Sequence, residues 1–362
     1  MQILYTCNTT LLKRLHIERE DGRLMINKKW RIILSLVTLV LLTVLGVTTA
    51  AENKDKKFLS VATASTGGTY YPIGVGMANI WSYHLKAENI QASGQSSAGS
   101  IENIELLRDG EAHLAILQGL ISSQAYAGDD TFAGKPYKDL RTVSMLWPNV
   151  EHFVLMDNKI ETGDISDIAG SRFSVGPQAS GTEQSTIVMM DGLNLSKNDI
   201  SPEYLGYNDT VSAMRDGRLD GGSLPAGIPI SAITDMYASN VKASILEVTD
   251  EQLEAINQVS NSWYRFVIPG GTYPRVDEDI LTIAQPNLLS TTKDIDEETI
   301  YILTKTLYEN LDEMYEVHNS AKEMKLDTAL DGVSVPLHAG AYRYFKEAGL
   351  SIPEELIPPE AK

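Results

Sequence analysis

The chain has 362 residues, 43% hydrophobic and 22% charged, a globular balance long enough for two ordinary domains and unlike that of a disordered segment. Its 48 Asp and Glu outnumber 30 Lys and Arg, for a formal charge of −18, which disfavours nucleic acid as a partner, since binding it needs a basic face. An acidic ligand is not excluded, because at physiological salt charges more than about 8 Å apart are largely screened.

The first element in chain order is an apolar, uncharged run at residues 32–48. It is preceded by Lys28, Lys29 and Arg31 and followed by Thr49-Ala50-Ala51. This pattern reads as a secretory signal peptide cleaved after Ala50, so residues 1–50 are set apart from the fold. A retained membrane anchor is the alternative, with a run at the short limit for crossing a bilayer. Met25 offers a more ordinary start, which would make residues 1–24 a misassigned extension. Removing 1–50 takes away seven Lys and Arg and three Asp and Glu, leaving 23 basic against 45 acidic side chains, a balance of −22. Cys7, the only cysteine, lies upstream of the apolar run and cannot be a lipid-bearing cysteine. The processed chain then has no disulfide, no cysteine nucleophile and no thiolate metal site, and its expected place is the periplasm.

From residue 57 onward β-type runs alternate with helical stretches. The apolar run 58–63 leads into Ala64-Ser65-Thr66-Gly67-Gly68-Thr69-Tyr70-Tyr71-Pro72-Ile73-Gly74, and 73–85 reads as a helix with Ile73, Met77, Ile80, Trp81 and Leu85 at core spacing. A strand at 90–96, a helix at 100–108 and a strand at 112–118 follow. A second series starts near Trp147, with strands at 150–156 and 172–175 and a helix at 181–192. Helical or β-type runs follow at 202–206, 210–216, 220–224, 228–237 and 243–248. The fold class is therefore α/β. Two lobes are expected, 58–146 with 265–362 and 147–264, with crossings at 145–150 and 262–269. The tail reads as one long amphipathic helix at 297–319 and another at 339–348. Both series contain a helix ending in Arg-Asp-Gly, at Arg108-Asp109-Gly110 and Arg215-Asp216-Gly217, where glycine offers the left-handed position past a helix end. This admits either lobe duplication or a common α/β device.

Three stretches repeat a small-residue turn before a helical segment: residues 65–70, Ser97-Ala98-Gly99-Ser100 and Ser180-Gly181-Thr182. Such turns leave backbone N–H groups at a helix N-terminus, where anions bind. Ser180 and Glu183 also fit a capping box, with the serine hydroxyl on the Glu183 N–H and the carboxylate on the Ser180 N–H. Tyr70, Tyr71 and Trp147 are candidates for an apolar wall or for core, and Gln118 ends a strand where α/β sheets present ligand groups. Arg141, Arg215 and Arg265 are candidates for pairing with a ligand carboxylate or for surface salt bridges. Nucleophile elbow, phosphate loop and dinucleotide signatures do not appear, and no His stands in a metal-binding pair; His338 reads as packed. No catalysis, metal or cofactor is expected.

At these residues the chain resembles a TAXI-type substrate-binding protein of TRAP transporters. The matching stretches are Ser65-Thr66-Gly67-Gly68-Thr69-Tyr70-Tyr71-Pro72-Ile73-Gly74, Gly99-Ser100-Ile101-Glu102-Asn103 with Leu106-Leu107-Arg108-Asp109-Gly110, and Val175-Gly176-Pro177 with Ser180-Gly181-Thr182. Ile268-Pro269-Gly270-Gly271-Thr272-Tyr273-Pro274 and Pro336-Leu337-His338-Ala339-Gly340-Ala341 complete the series. The resemblance implies a two-lobed receptor, similar in fold to type II periplasmic binding proteins, that closes on a ligand and delivers it to sodium-driven membrane permease subunits. Glutamate and related amino or organic acids are the implied ligands, and a monomer is expected. The implied ligand residues are Ser65, Thr66, Gly67, Gly68, Thr69, Tyr70, Ser97, Ala98, Gly99, Ser100, Asn103, Gln118, Ser180, Gly181 and Thr182, with Trp147 as wall. Ala98, where glycine is common, and Gly119-Leu120, where Ser-Asp is usual, put glutamate itself in doubt. The rival readings are a sensor that signals to a membrane kinase and a periplasmic enzyme acting on a small acid.

Overall fold

The computed structural model describes residues 17–20, 23–26 and 56–362, and it separates into two units, Met1–Asp55 and Lys56–Lys362. In the first unit, β1 (Ile17–Glu20) pairs antiparallel with β2 (Arg23–Ile26). The expected signal segment, its cleavage point and Cys7 lie outside the described residues. No helix among the described residues is long and apolar enough to cross a membrane.

The second unit holds two sheets. The six-stranded sheet begins with β3 (Lys57–Ala62), α1 (Tyr70–His84), β4 (Ile90–Gln95), α2 (Ser100–Arg108), β5 (Leu114–Gln118), α3 (Gly119–Ala127) and the long strand β6 (Leu140–Val150). It is completed by β12 (Tyr264–Ile268) and β13 (Ile280–Thr292). β3 runs parallel to β4 and β5, while β13 runs antiparallel to β5, β6 and β12. Ile73, Met77, Ile80 and Trp81 of α1 are buried against this sheet, as their spacing predicts.

Between β6 and β12 the chain builds the five-stranded sheet. Its elements are β7 (Phe153–Met156), β8 (Arg172–Ser174), α4 (Gly181–Gly192), β9 (Ser201–Glu203), α5 (Tyr207–Arg215), β10 (Gly221–Ser223), α6 (Ser231–Ala238), β11 (Ala243–Leu246) and α7 (Asp250–Val259). The strand order is β11-β7-β10-β8-β9, with β7 antiparallel to both neighbours and the other pairs parallel. Helices α8 (Glu297–Glu309), α9 (Leu311–Val317) and α10 (Ala339–Glu347) close the chain. The architecture is mixed α/β, as expected.

Three sequence expectations are corrected. The strand expected at 150–156 is two strands, β6 ending at Val150 and β7 starting at Phe153 in the other sheet. Residues 145–150 are the end of β6, paired with β13, rather than a connection. The tail helix expected at 297–319 is broken at Asn310, whose backbone leaves the helical region (φ −127°) and whose side chain donates to Thr306 O at 2.7 Å. The two Arg-Asp-Gly ends behave alike: Gly110 and Gly217 take φ of 73° and 71°, and Glu111 N–H and Arg218 N–H reach back to Leu106 O and Ala213 O.

Candidate functional site

A small pocket lies where loops from both sheets meet. It is lined by Ala64, Ser65, Gly68, Thr69, Tyr70, Ala98, Gly99, Ser100, Gln118, Asn149, Pro177, Ser180, Gly181, Thr182, Tyr207, Pro225 and Ala226. Five helices begin at these residues: α1 at Tyr70, α2 at Ser100, α3 directly after Gln118, α4 at Gly181 and α5 at Tyr207. The first amides of a helix have no partner within it and carry its partial positive charge, so the five starts together make one electropositive basin. None of the lining residues is Asp, Glu, Lys, Arg or His.

The local sequence explains the close approach of the helix starts. Gly99 caps α2 with φ 128°, a conformation that L side chains rarely adopt. A Cβ on Gly181 would stand 2.6 Å from Gln118 Oε1 and 2.8 Å from Ser100 Oγ. Three hydrogen bonds join the loops around the pocket: Glu102 N–H to Ala179 O at 3.0 Å, Thr69 Oγ1 to Gly227 O at 3.1 Å and Ser231 Oγ to Gly67 O at 3.0 Å.

Polar groups on the wall include Tyr207 Oη, which donates to Pro225 O at 2.6 Å and sits 2.9 Å from Thr182 Oγ1. Tyr70 Oη donates to Asn287 Oδ1 at 2.5 Å, and its ring meets Trp147 edge-on at 5.8 Å. Burial, the largest cause, pushes both phenols above their usual range, so both stay neutral donors. Gln118 Oε1 and Asn149 Nδ2 are buried without a hydrogen-bond partner among the described residues.

Of the residues singled out from sequence, Ser65, Gly68, Thr69, Tyr70, Ala98, Gly99, Ser100, Gln118, Ser180, Gly181 and Thr182 are brought to this pocket. The others do not line it. Thr66 is exposed, and Gly67 faces Asn208 and Ser231. Ser97 Oγ donates to Thr63 O and Asn103 Oδ1, while the Asn103 amide donates to Thr63 O and Ile116 O. Asn103 thus pins the first two loops together from beneath. Trp147, fully buried, stands behind Tyr70.

The three candidate arginines are engaged within the protein: Arg141 with Glu360, Arg215 with Asp235 and Arg265 with Asp250. The capping box at α4 is only half formed. Ser180 Oγ accepts from Glu183 N–H at 3.0 Å, but the Glu183 carboxylate takes the Ala179 N–H at 3.1 Å rather than that of Ser180. Ala179 has φ of 59°, which turns its N–H toward Glu183. His338 caps α10 through Nδ1 and faces Ile295 O through Nε2. No group of three or more His, Cys, Asp or Glu among the described residues stands ready for a metal.

Sequence reading missed Asn149, Tyr207, Pro225 and Ala226. Tyr207 had a usable signal, since Gly206 directly precedes it at a helix start. Asn149 had none, because it lies inside an apolar strand.

Comparison with known proteins gives one family match, the model of the NMT1-like family, over residues 61–349. Similar solved structures include the periplasmic aliphatic sulphonate binding protein SsuA from Escherichia coli, 13% identical, covering 81% of this chain and 91% of that one at a TM-score of 0.43. A putative L-cystine ABC transporter from Listeria monocytogenes is 13% identical, covering 74% of this chain and 98% of that one at a TM-score of 0.47. PhnD1 from Prochlorococcus marinus in complex with methylphosphonate is 11% identical, covering 74% and 91% at a TM-score of 0.47. None of these likenesses is close enough to carry a ligand across.

Proposed function

This chain belongs to the NMT1-like family, and on that footing we propose that it is an extracytoplasmic solute receptor that holds a small anionic or zwitterionic solute between its two α/β sheets. The observation that carries this reading is the convergence of five helix starts on one pocket with no charged side chain in its lining. An acid group there is neutralised by backbone dipoles and hydroxyl donors, as at other helix N-termini. The same lining offers no carboxylate, imidazole or amine for acid–base or nucleophilic work, which favours binding over turnover.

Within this reading the solute is an amino acid or organic acid of glutamate size. Delivery goes to TRAP-type membrane permease subunits, and residues 1–50 direct the protein to the periplasm. The test is a thermal-shift screen of the purified protein against L-glutamate, other amino acids, dicarboxylates and keto acids. A ligand at about 100 times its Kd adds roughly 2.7 kcal/mol, enough to raise the unfolding midpoint by several degrees. A panel in which no acid moves the midpoint, while a neutral sugar or a cation does, would reject the reading.

A further inference from the structure

The chain leaves the six-stranded sheet after Val150, enters the five-stranded sheet at Phe153, and returns between Val259 and Tyr264. Glu151 sits in the first crossing and Trp263 in the second. Glu151 N–H donates to Ile283 O at 2.9 Å, Thr282 Oγ1 donates to Glu151 O at 2.8 Å, and Leu224 N–H donates to His152 O at 2.9 Å. The crossing is therefore held by both sheets at once. The Glu151 side chain is fully buried; Oε1 accepts from Trp263 Nε1 at 2.9 Å, while Oε2 makes no hydrogen bond of ordinary geometry among the described residues. One carboxyl thus ties the outgoing segment to the returning one.

The groups around it supply no compensating cation. From β13 come Thr282, Ile283 and Gln285, none of which titrates, and the Gln285 Nε2 lacks a hydrogen bond of ordinary geometry although its amide helps the carboxylate. From β12, Arg265 turns to Asp250, Val248 O and Thr282 O, while Tyr264 is 41% exposed. His152 faces Val150 O and the Tyr273 hydroxyl, and its own burial pushes it down to about 4, so it is neutral. Tyr70 and Tyr207, both in the pocket wall, are near enough for the Glu151 charge to raise them further.

We propose that Glu151 is a proton-operated clasp: protonated, it lets the two crossing segments stay packed around an anion in the pocket; ionised, it drives them apart and weakens the hold on that anion. The hold on the anion rests on the receptor reading above; the separation of the crossing segments does not. An ionised carboxylate without a cation or full hydration costs several kcal/mol, a cost that water relieves when the crossing segments separate. A bound anion adds like-charge repulsion and so favours the protonated form. Burial pushes this carboxyl up to about 7, against the lowering effect of the Trp263 and Gln285 donors, so the change falls near neutral pH. The sign follows from linkage. Because the bound state holds the proton more tightly, affinity is highest below this value and falls as pH rises through it.

Small-angle scattering and tryptophan fluorescence of the purified protein, from about pH 5.5 to about 8.5, test the clasp across the range in which such a carboxyl titrates. A step centred near pH 7 is expected, with a larger radius of gyration on the alkaline side. Glu151→Gln should abolish it, and Trp263→Phe should move its midpoint upward, because the carboxylate loses a donor. Calorimetry with L-glutamate should show Kd several-fold weaker at about pH 8 than at about pH 6 in the wild type and unchanged in Glu151→Gln. A wild type without the step, or a step that persists in Glu151→Gln, overturns the clasp. If L-glutamate binds at neither pH, the receptor reading loses that ligand while the scattering result still decides the clasp.

Discussion

Gly181 is the residue whose size matters most to the site. Its missing side chain is what lets Gln118 and Ser100 reach the start of α4, and a Cβ there would overlap both. Gly68 has a lesser constraint, since a Cβ added there would stand 3.1 Å from the Tyr207 ring. Gly181→Val and Gly68→Val are expected to weaken ligand binding while the fold persists, Gly181→Val by 100-fold or more, which corresponds to about 3 kcal/mol. Calorimetry showing wild-type affinity in a folded Gly181→Val protein would remove this loop from the site. At this scale the sequence was a good guide wherever small residues stood next to a helix start, because that pattern has a local cause. It was a poor guide to Asn103, which has the residue type of a ligand contact but holds two carbonyls from behind the wall. Only the packed structure tells a polar group facing a pocket from one facing the backbone.

The elements read most accurately were those with local punctuation. Helix α2 lies at the expected 100–108 and α4 at the expected 181–192, since a glycine or serine cap sets one end of each. Strands β6 and β13 escaped notice because they are buried on both faces, so their sequences show no alternation. Within β6, Arg141 is 3% exposed and bonds Glu360 through both Nε and a terminal nitrogen, at 3.0 and 2.7 Å, which fastens the C-terminal segment to the sheet. Glu360→Ala leaves that guanidinium with only the carbonyls of Lys138 and Leu140. We expect a loss of about 2 kcal/mol, below the value for a fully buried pair because Glu360 itself is 37% exposed. Chemical denaturation checks this, and an unchanged midpoint would show the contact to be energetically idle. Arg141 also holds the Glu360 carboxyl below its ordinary value. The contribution of the pair is therefore present at neutral pH and fades as pH falls through the acid range.

At the scale of the molecule, the α/β alternation was readable from sequence, and the family resemblance implied that the separated turns meet in a cleft between two lobes. The buried carboxyl at the crossing was not readable. It depends on long-range pairing, such as that of Ala284 with Val150 and of Ile283 with Glu151, which no local pattern encodes. The bonds between the pocket loops carry a kinetic consequence. Glu102 with Ala179, Thr69 with Gly227 and Ser231 with Gly67 tie loops of one sheet to loops of the other. A solute whose entry needs those loops to separate must wait for these bonds to part. Stopped-flow traces should therefore level off at high solute concentration, at a ceiling set by the parting frequency, and a Ser231→Ala protein should show a higher ceiling. Traces that climb in strict proportion to concentration would mean that the entrance stands unbarred.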